Sequence, residues 1–162
     1  MITVLYWNQN RRSECAIEAL EDSSEYDVLA VQEPWINRQT MDIYCPNSCK
    51  YRKVWGSGRA AIYIHKRHEP TTWTYEVGED WAKVTFTTAN VTVYSIYSAR
   101  YTTSNWHTPI HDLITTEPET RTVLVGDFNQ HHPLWDKEGR ISNGVNDLLT
   151  LVQRWELRLA TP

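Results

Sequence analysis

Four side chains able to do phosphate or metal chemistry stand at the ends of strand-like runs: Asn8 after Ile2 to Trp7, Glu33 after Val28 to Gln32, Tyr97 after Val91 to Ile96, and Asp127 after Thr122 to Gly126. In layered α/β proteins, ligand groups gather outside the carboxyl ends of strands, where rigid backbone aims them into a crevice. Glu33 and Asp127 are therefore expected to be neighbours. Two carboxylates with the amides of Asn8, Asn10 and Asn129 form an oxygen-rich, imidazole-poor donor set, suited to Mg²⁺ or Mn²⁺ and not to zinc. Such a site processes phosphates. The ion neutralises charge, a carboxylate orients or deprotonates the attacking water, and a phenol or guanidinium holds a nonbridging oxygen. Tyr97 and Arg100 are the residues to supply those last two groups. A single polar residue at a strand end is usually a turn former or helix cap. Four together are harder to explain that way.

The elements that must position these groups belong to one domain of ordinary composition: 162 residues, 41% hydrophobic and 22% charged, without repeat or linker. No window approaches the roughly 20 apolar residues of a membrane span, and the basic residues follow the apolar start, the reverse of a signal peptide. Three cysteines, Cys15, Cys45 and Cys49, are an odd count that argues against a disulfide framework. A reducing, intracellular setting is expected. Nothing completes a zinc site around Cys45 and Cys49, which read as loop cysteines. Sixteen basic against twenty acidic residues give a net charge of −4, which excludes a non-specific nucleic-acid coat; a polyanion must be gripped locally. Eight Trp and nine Tyr against two Phe read mainly as core rings with polar tips.

Along the chain, Ser13 is placed to cap a short helix with Ala16, Ile17 and Leu20 on its apolar face. Val28 to Val31 is continuously apolar, as strands covered on both faces are, and Pro34 ends it just after Glu33. The Asn-, Pro-, Cys- and Tyr-rich stretch that follows reads as a loop. Arg59 to His65 reads as a strand, and Ala82 to Thr88 with Val91 to Tyr97 as a hairpin about Ala89-Asn90. Thr108-Pro109 starts a helix striped by Ile110, Leu113 and Ile114. Thr122 to Val125 is another buried-type strand, running into Gly126-Asp127-Phe128-Asn129. Val145, Leu148, Leu149 and Val152 mark a further helix, and Leu157 to Ala160 reads as the start of one more strand. The mixture predicts an α/β sandwich, sheets covered by helices on their outer faces.

Several strings carry a resemblance: Trp7-Asn8, VQEPW from Val31 to Trp35, VYSIYS from Val93 to Ser98, and VGDFNQHHPLWD from Val125 to Asp136. They resemble the endonuclease/exonuclease/phosphatase superfamily, with its deoxyribonuclease I-like fold, and within it the apurinic-type endonuclease domain of non-LTR retrotransposons. GDFN occurs across the superfamily, whereas the appended HHPLW is characteristic of the retroelement branch. The resemblance covers essentially the whole chain. It implies that residues 1–162 form a four-layer α/β/β/α sandwich, incomplete at the C-terminal end, of a kind that nicks DNA to expose a 3′ hydroxyl for reverse transcription. By position, Glu33 matches the magnesium ligand and Asn8 the amide beside the metal. Asp127 and Asn129 match the pair that positions water and phosphate, and Tyr97 the tyrosine on the scissile phosphate. Asn10 falls where many relatives have Asp or Asn near the metal. Arg100 replaces the asparagine of a Tyr-x-Pro-Asn string, and its guanidinium would grip phosphate. The implied partners are DNA and the reverse-transcriptase part of the same polyprotein, and the implied location is the nucleus.

One departure bears on the chemistry. The family continues into a Ser/Thr-x-Asp segment and a Ser-Asp-His whose histidine is essential to cleavage, and neither occurs in these residues. The expectation is an amino-terminal portion that nicks weakly or not at all alone, binds metal weakly through Glu33, and self-associates through an incompletely paired sheet. Among six histidines, His65, His68, His107, His111 and His132 read as structural or surface residues. His131 reads the same way first and, being nearest Asp127 in sequence, is the candidate substitute only second. Lys50, Arg52 and Lys53, interleaved with Tyr51 and Trp55, and the Arg11-Arg12 pair read first as solvated faces and second as a DNA track. Two alternatives stay open: another phosphodiesterase or phosphatase on this sandwich, which HHPLW disfavours, and a non-catalytic binding remnant.

Overall fold

The apolar run at 28–31 forms β2 (Val28–Gln32), buried along its whole length. It organises a four-stranded sheet with β1 (Val4–Asn8), β5 (Tyr51–Val54) and β6 (Ala60–His65), in the order β1-β2-β6-β5. β1 and β2 are parallel; the other pairs are antiparallel. A second sheet has the order β10-β9-β8-β7, from β7 (Trp73–Gly78), β8 (Trp81–Phe86), β9 (Val91–Tyr97) and β10 (Thr122–Asp127), with β9 and β10 parallel. The computed structural model describes residues 1–23, 25–99, 108–119 and 121–160. Both sheets belong to one unit, Met1–Tyr97 with Glu119–Asp127; the other unit is Ser98–Pro118 with Phe128–Pro162.

Alternation along the strands sorts the apolar side chains to two faces. Val28, Val54, Ile62 and Ile64 meet Ala82, Val84, Phe86 and Val93 between the sheets. Leu29, Val31, Ala61 and Tyr63 point the other way, onto Leu20 of α1 (Ser13–Asp22). Each fully buried aliphatic side chain contributes about 1.5–3 kcal/mol, so this two-sided burial outweighs the mixed polarity of the flanking strands. In the other unit, α2 (Pro109–Ile114) packs against α3 (Val145–Arg154). Thr108 and His111 form a capping box at α2, and the Trp155 indole donates to the Thr116 carbonyl at 3.1 Å.

Four local expectations change. Ser13 does not cap α1: Arg12 holds that position without a side-chain bond, and Ala19 is buried where Ile17 stays 38% exposed. The supposed loop after Trp35 contains a short hairpin, β3 (Ile36–Asn37) with β4 (Asp42–Ile43). Strands β5 and β7 were not expected. β5 hides behind its charges: Tyr51 and Val54 point inward, Arg52 donates to the Lys66 and His68 carbonyls, and Lys53 pairs with Asp42. β7 is an edge strand whose middle residues are all exposed, so no alternation betrays it. Residues 157–160 form no strand, because no described neighbour supplies the ladder of hydrogen bonds that an extended run needs. No helix among the described residues is long and apolar enough to cross a membrane.

Candidate active site

β1 and β2 run in register with Asn8 opposite Gln32, and β9 and β10 with Tyr97 opposite Asp127, so each parallel pair delivers its last residues together. β2 lies against β9 and β10, and β1 against β10. Gln32 crosses the gap one residue before Glu33, its Nε2 donating to the Ser95 hydroxyl at 2.8 Å.

Glu33 and Asp127 both act on Tyr97. The phenol is hydrogen-bonded to the Glu33 carboxylate and feels the charge of Asp127; burial first, then that bond, raise its pKa, while Arg59 opposes them. Tyr97 therefore stays protonated at neutral pH and keeps a hydrogen to donate. Asp127 also acts on Tyr6, whose phenol is raised by burial and then by that carboxylate. Tyr6 and Asn8 share one face of β1 by the two-residue period, so Asn8 belongs on the side that Asp127 faces.

The backbone around Glu33 is strained. Its φ is 48°, and Asn10 and Arg11 follow β1 at φ 46° and 56°. The left-handed region costs a non-glycine residue about 1–2 kcal/mol and persists where neighbours over-determine it. Here they do: the Glu33 N–H donates to the Arg59 carbonyl at 2.7 Å, and the Glu33 carbonyl accepts the Arg11 N–H at 2.8 Å. Asn8 accepts the Asn10 N–H through Oδ1 at 2.8 Å, so Asn10 enters through its turn. Asn129 lies in the second unit, at φ 49°, and donates Nδ2 to the Ser98 carbonyl at 3.0 Å. Arg100 lies outside the described residues.

Arg59 and Asp80 join this group without having been anticipated. Asp80 accepts the Arg59 backbone N–H at 2.6 Å and the guanidinium through Nη2 at 3.1 Å, and its carbonyl accepts the Tyr97 N–H at 2.8 Å. The Arg59 guanidinium carbon stands 4.1 Å from the centre of the Tyr97 ring. Gly58, at φ 75°, permits the approach: a Cβ there would come within 2.4 Å of Asp80 Oδ1. A glycine two residues before β6 was the one available signal.

The described histidines have other partners. His65 ends β6 beside β2's first residues, away from Glu33, and His68 Nε2 lies 2.6 Å from Asp27. His111 pairs with Asp147 at 3.1 Å, and His132 stacks near Trp135. His131, the candidate substitute, pairs with Asp136 at 2.6 Å. Cys45 and Cys49 are thiols 3.7 Å apart, and no described cluster of three or more His, Cys, Asp or Glu could hold a metal. A closed structural zinc site is not formed by these residues. The donor types at these strand ends, two carboxylates and an amide oxygen, are of the kind that a hard cation such as Mg²⁺ takes.

Residues 91–162 match a family model described as "Endonuclease-reverse transcriptase". The search of curated proteins finds no match. Among solved structures, the endonuclease domain of TRAS1, a telomere-specific non-LTR retrotransposon, superposes with a TM-score of 0.67 at 18% identity, covering 100% of this chain and 74% of that one. The chain thus has the deoxyribonuclease I-like α/β fold of that domain, and its residues 91–162 carry the endonuclease-reverse transcriptase pattern.

Proposed function

We propose that this chain is the magnesium-dependent DNA-nicking part of a retrotransposon polyprotein, working beside a reverse transcriptase on nuclear DNA. The observation that supports it best is that β9 and β10 end with Tyr97 opposite Asp127 while the Tyr97 phenol also faces the Glu33 carboxylate. Glu33 with Asn8 would hold the ion, and Mg²⁺ (or Mn²⁺ in its place) would supply neutralisation of phosphate charge and polarisation of a nonbridging oxygen. Asp127 orients the attacking water and takes its proton as the new P–O bond forms and the P–O3′ bond breaks, and the departing 3′ oxygen takes a proton from solvent. Tyr97, protonated, donates its hydrogen to a nonbridging oxygen, where charge builds during attack. Asn129 and Arg100 add phosphate donors, and Asn10 holds the turn beside the metal.

Alone, these 162 residues nick weakly, because the described histidines have partners that compete with a role in proton transfer: His68 with Asp27, His111 with Asp147, His131 with Asp136, His65 with the Arg67 N–H and His132 with the Leu134 N–H. Self-association belongs to the same proposal: β1 and β10 each bond one neighbour only, with Tyr6 43% and Val123 40% exposed. Incubation with supercoiled plasmid and Mg²⁺ tests the assignment. Slow conversion to open circles is expected, reduced about a hundredfold or more by Glu33→Ala and abolished by EDTA. Conversion that survives Glu33→Ala would overturn the site, and rapid conversion at ordinary enzyme levels would overturn the weak-activity claim.

A further inference from the structure

A phosphodiester entering a site walled by Glu33 and Asp127 meets two like charges, and a bound divalent ion offsets them only in part. Among the described residues, the cation whose charge acts on Tyr97 is Arg59. It also acts on Glu33. Three features distinguish it from an ordinary surface arginine. Its side chain is only 32% exposed, and two of its guanidinium nitrogens, Nε at 3.5 Å and Nη2 at 3.1 Å, face the Asp80 carboxylate. The plane is held over the Tyr97 ring. The third nitrogen, Nη1, makes no hydrogen bond to a described residue. A guanidinium is a planar fork whose edges can serve two anions at once. Asp80 occupies one edge and fixes the plane.

We propose that Arg59 is a substrate-binding residue of this site, its open guanidinium edge taking a nonbridging oxygen of a DNA phosphate beside Tyr97. This rests on the nuclease reading and adds a residue to it. Gly58 and Asp80 are the supports: the glycine makes room for Asp80, and Asp80 aims the arginine before substrate arrives. Arg59 is thereby a second guanidinium in addition to that of Arg100, placed in the turn before β6 next to the Glu33 backbone, whose N–H its own carbonyl accepts.

Fluorescence anisotropy of a labelled duplex oligonucleotide, titrated in magnesium buffer over a range of salt, tests this by binding and not by turnover. The wild-type chain is expected to bind with a salt-dependent affinity. Arg59→Ala should weaken binding about tenfold and flatten the slope of log affinity against log salt by about one phosphate contact. Arg59→Lys should recover the slope but only part of the affinity, because a point charge does not use the Asp80 edge. Arg121→Ala, at the start of β10 and so at the other end of that strand from Asp127, should change neither. Absence of salt-dependent binding by the wild-type chain would sink the nuclease reading itself. Wild-type binding with an unchanged slope in Arg59→Ala would sink the role of Arg59 and leave that reading standing, whatever the variants' melting temperatures. Should Arg59→Ala fail to fold, Arg59→Gln replaces it, with the same slope change expected and the same unchanged slope contradicting the proposal.

Discussion

Replacing Asp27 by alanine is expected to cost about 3 kcal/mol of folding free energy at pH 7. Asp27 opens β2 at the end opposite Glu33, with a side chain only 10% exposed. Its Oδ2 accepts the Thr3 N–H and hydroxyl, each at 2.8 Å, and its Oδ1 accepts Arg67 Nε at 2.8 Å and His68 Nε2 at 2.6 Å. Burial alone would raise its pKa, but the Thr3 and His68 bonds and the Arg67 charge overcome that and hold the carboxyl far below the usual carboxylate range. The sign of the pH dependence follows. A depressed folded-state pKa gives stability that is complete above the unfolded value, about 4, and is lost as pH falls toward the folded value. Urea unfolding of wild type and Asp27→Asn should differ most at neutral pH and converge in acid. A gap independent of pH would contradict this.

Gly126→Ala is expected to cost about 3 kcal/mol, lowering the melting temperature by about 6–12 °C in a chain of this size. A Cβ at Gly126 would lie 2.0 Å from the Ile96 carbonyl oxygen and 2.9 Å from its carbon, both backbone atoms of β9, so no side chain can swing aside. Relief requires β10 to move off β9, and with it Asp127 off Tyr97, its register partner. Calorimetry reads the first effect. A Gly126→Ala protein that melts within a degree or two of wild type would contradict the close packing of these strands.

The strands that build the site were legible because each carries a contiguous apolar run: β2 lies between two covered faces, and the β8–β9 hairpin turns about Asn90 at φ 50°. Their polar last residues were legible for the same reason, since a side chain that leaves an apolar run must have somewhere else to go. What stayed hidden depends on distance in space. Arg59 and Asp80 are far apart in the chain and meet only because β6 and the β7–β8 turn converge. Gly126 reads as part of a motif, while its physical need is the Ile96 carbonyl. β7 stayed hidden because an edge strand draws its stability from backbone pairing, which leaves little mark on side-chain polarity. The helix cap at Ser13 failed by one residue, a shift that capping residues alone do not resolve.

The claim on which the functional proposal depends is that a divalent ion held by Glu33 lies beside Tyr97 and Asp127. Titrating the isotopically labelled chain with Mn²⁺ and following its amide resonances tests it without requiring turnover. The signals of residues 33, 97 and 127 should broaden together at the lowest additions, and excess Mg²⁺ should restore them. Broadening centred elsewhere, or at Glu33 with Asp127 untouched, would mean that Asp127 does not stand beside the ion that Glu33 holds.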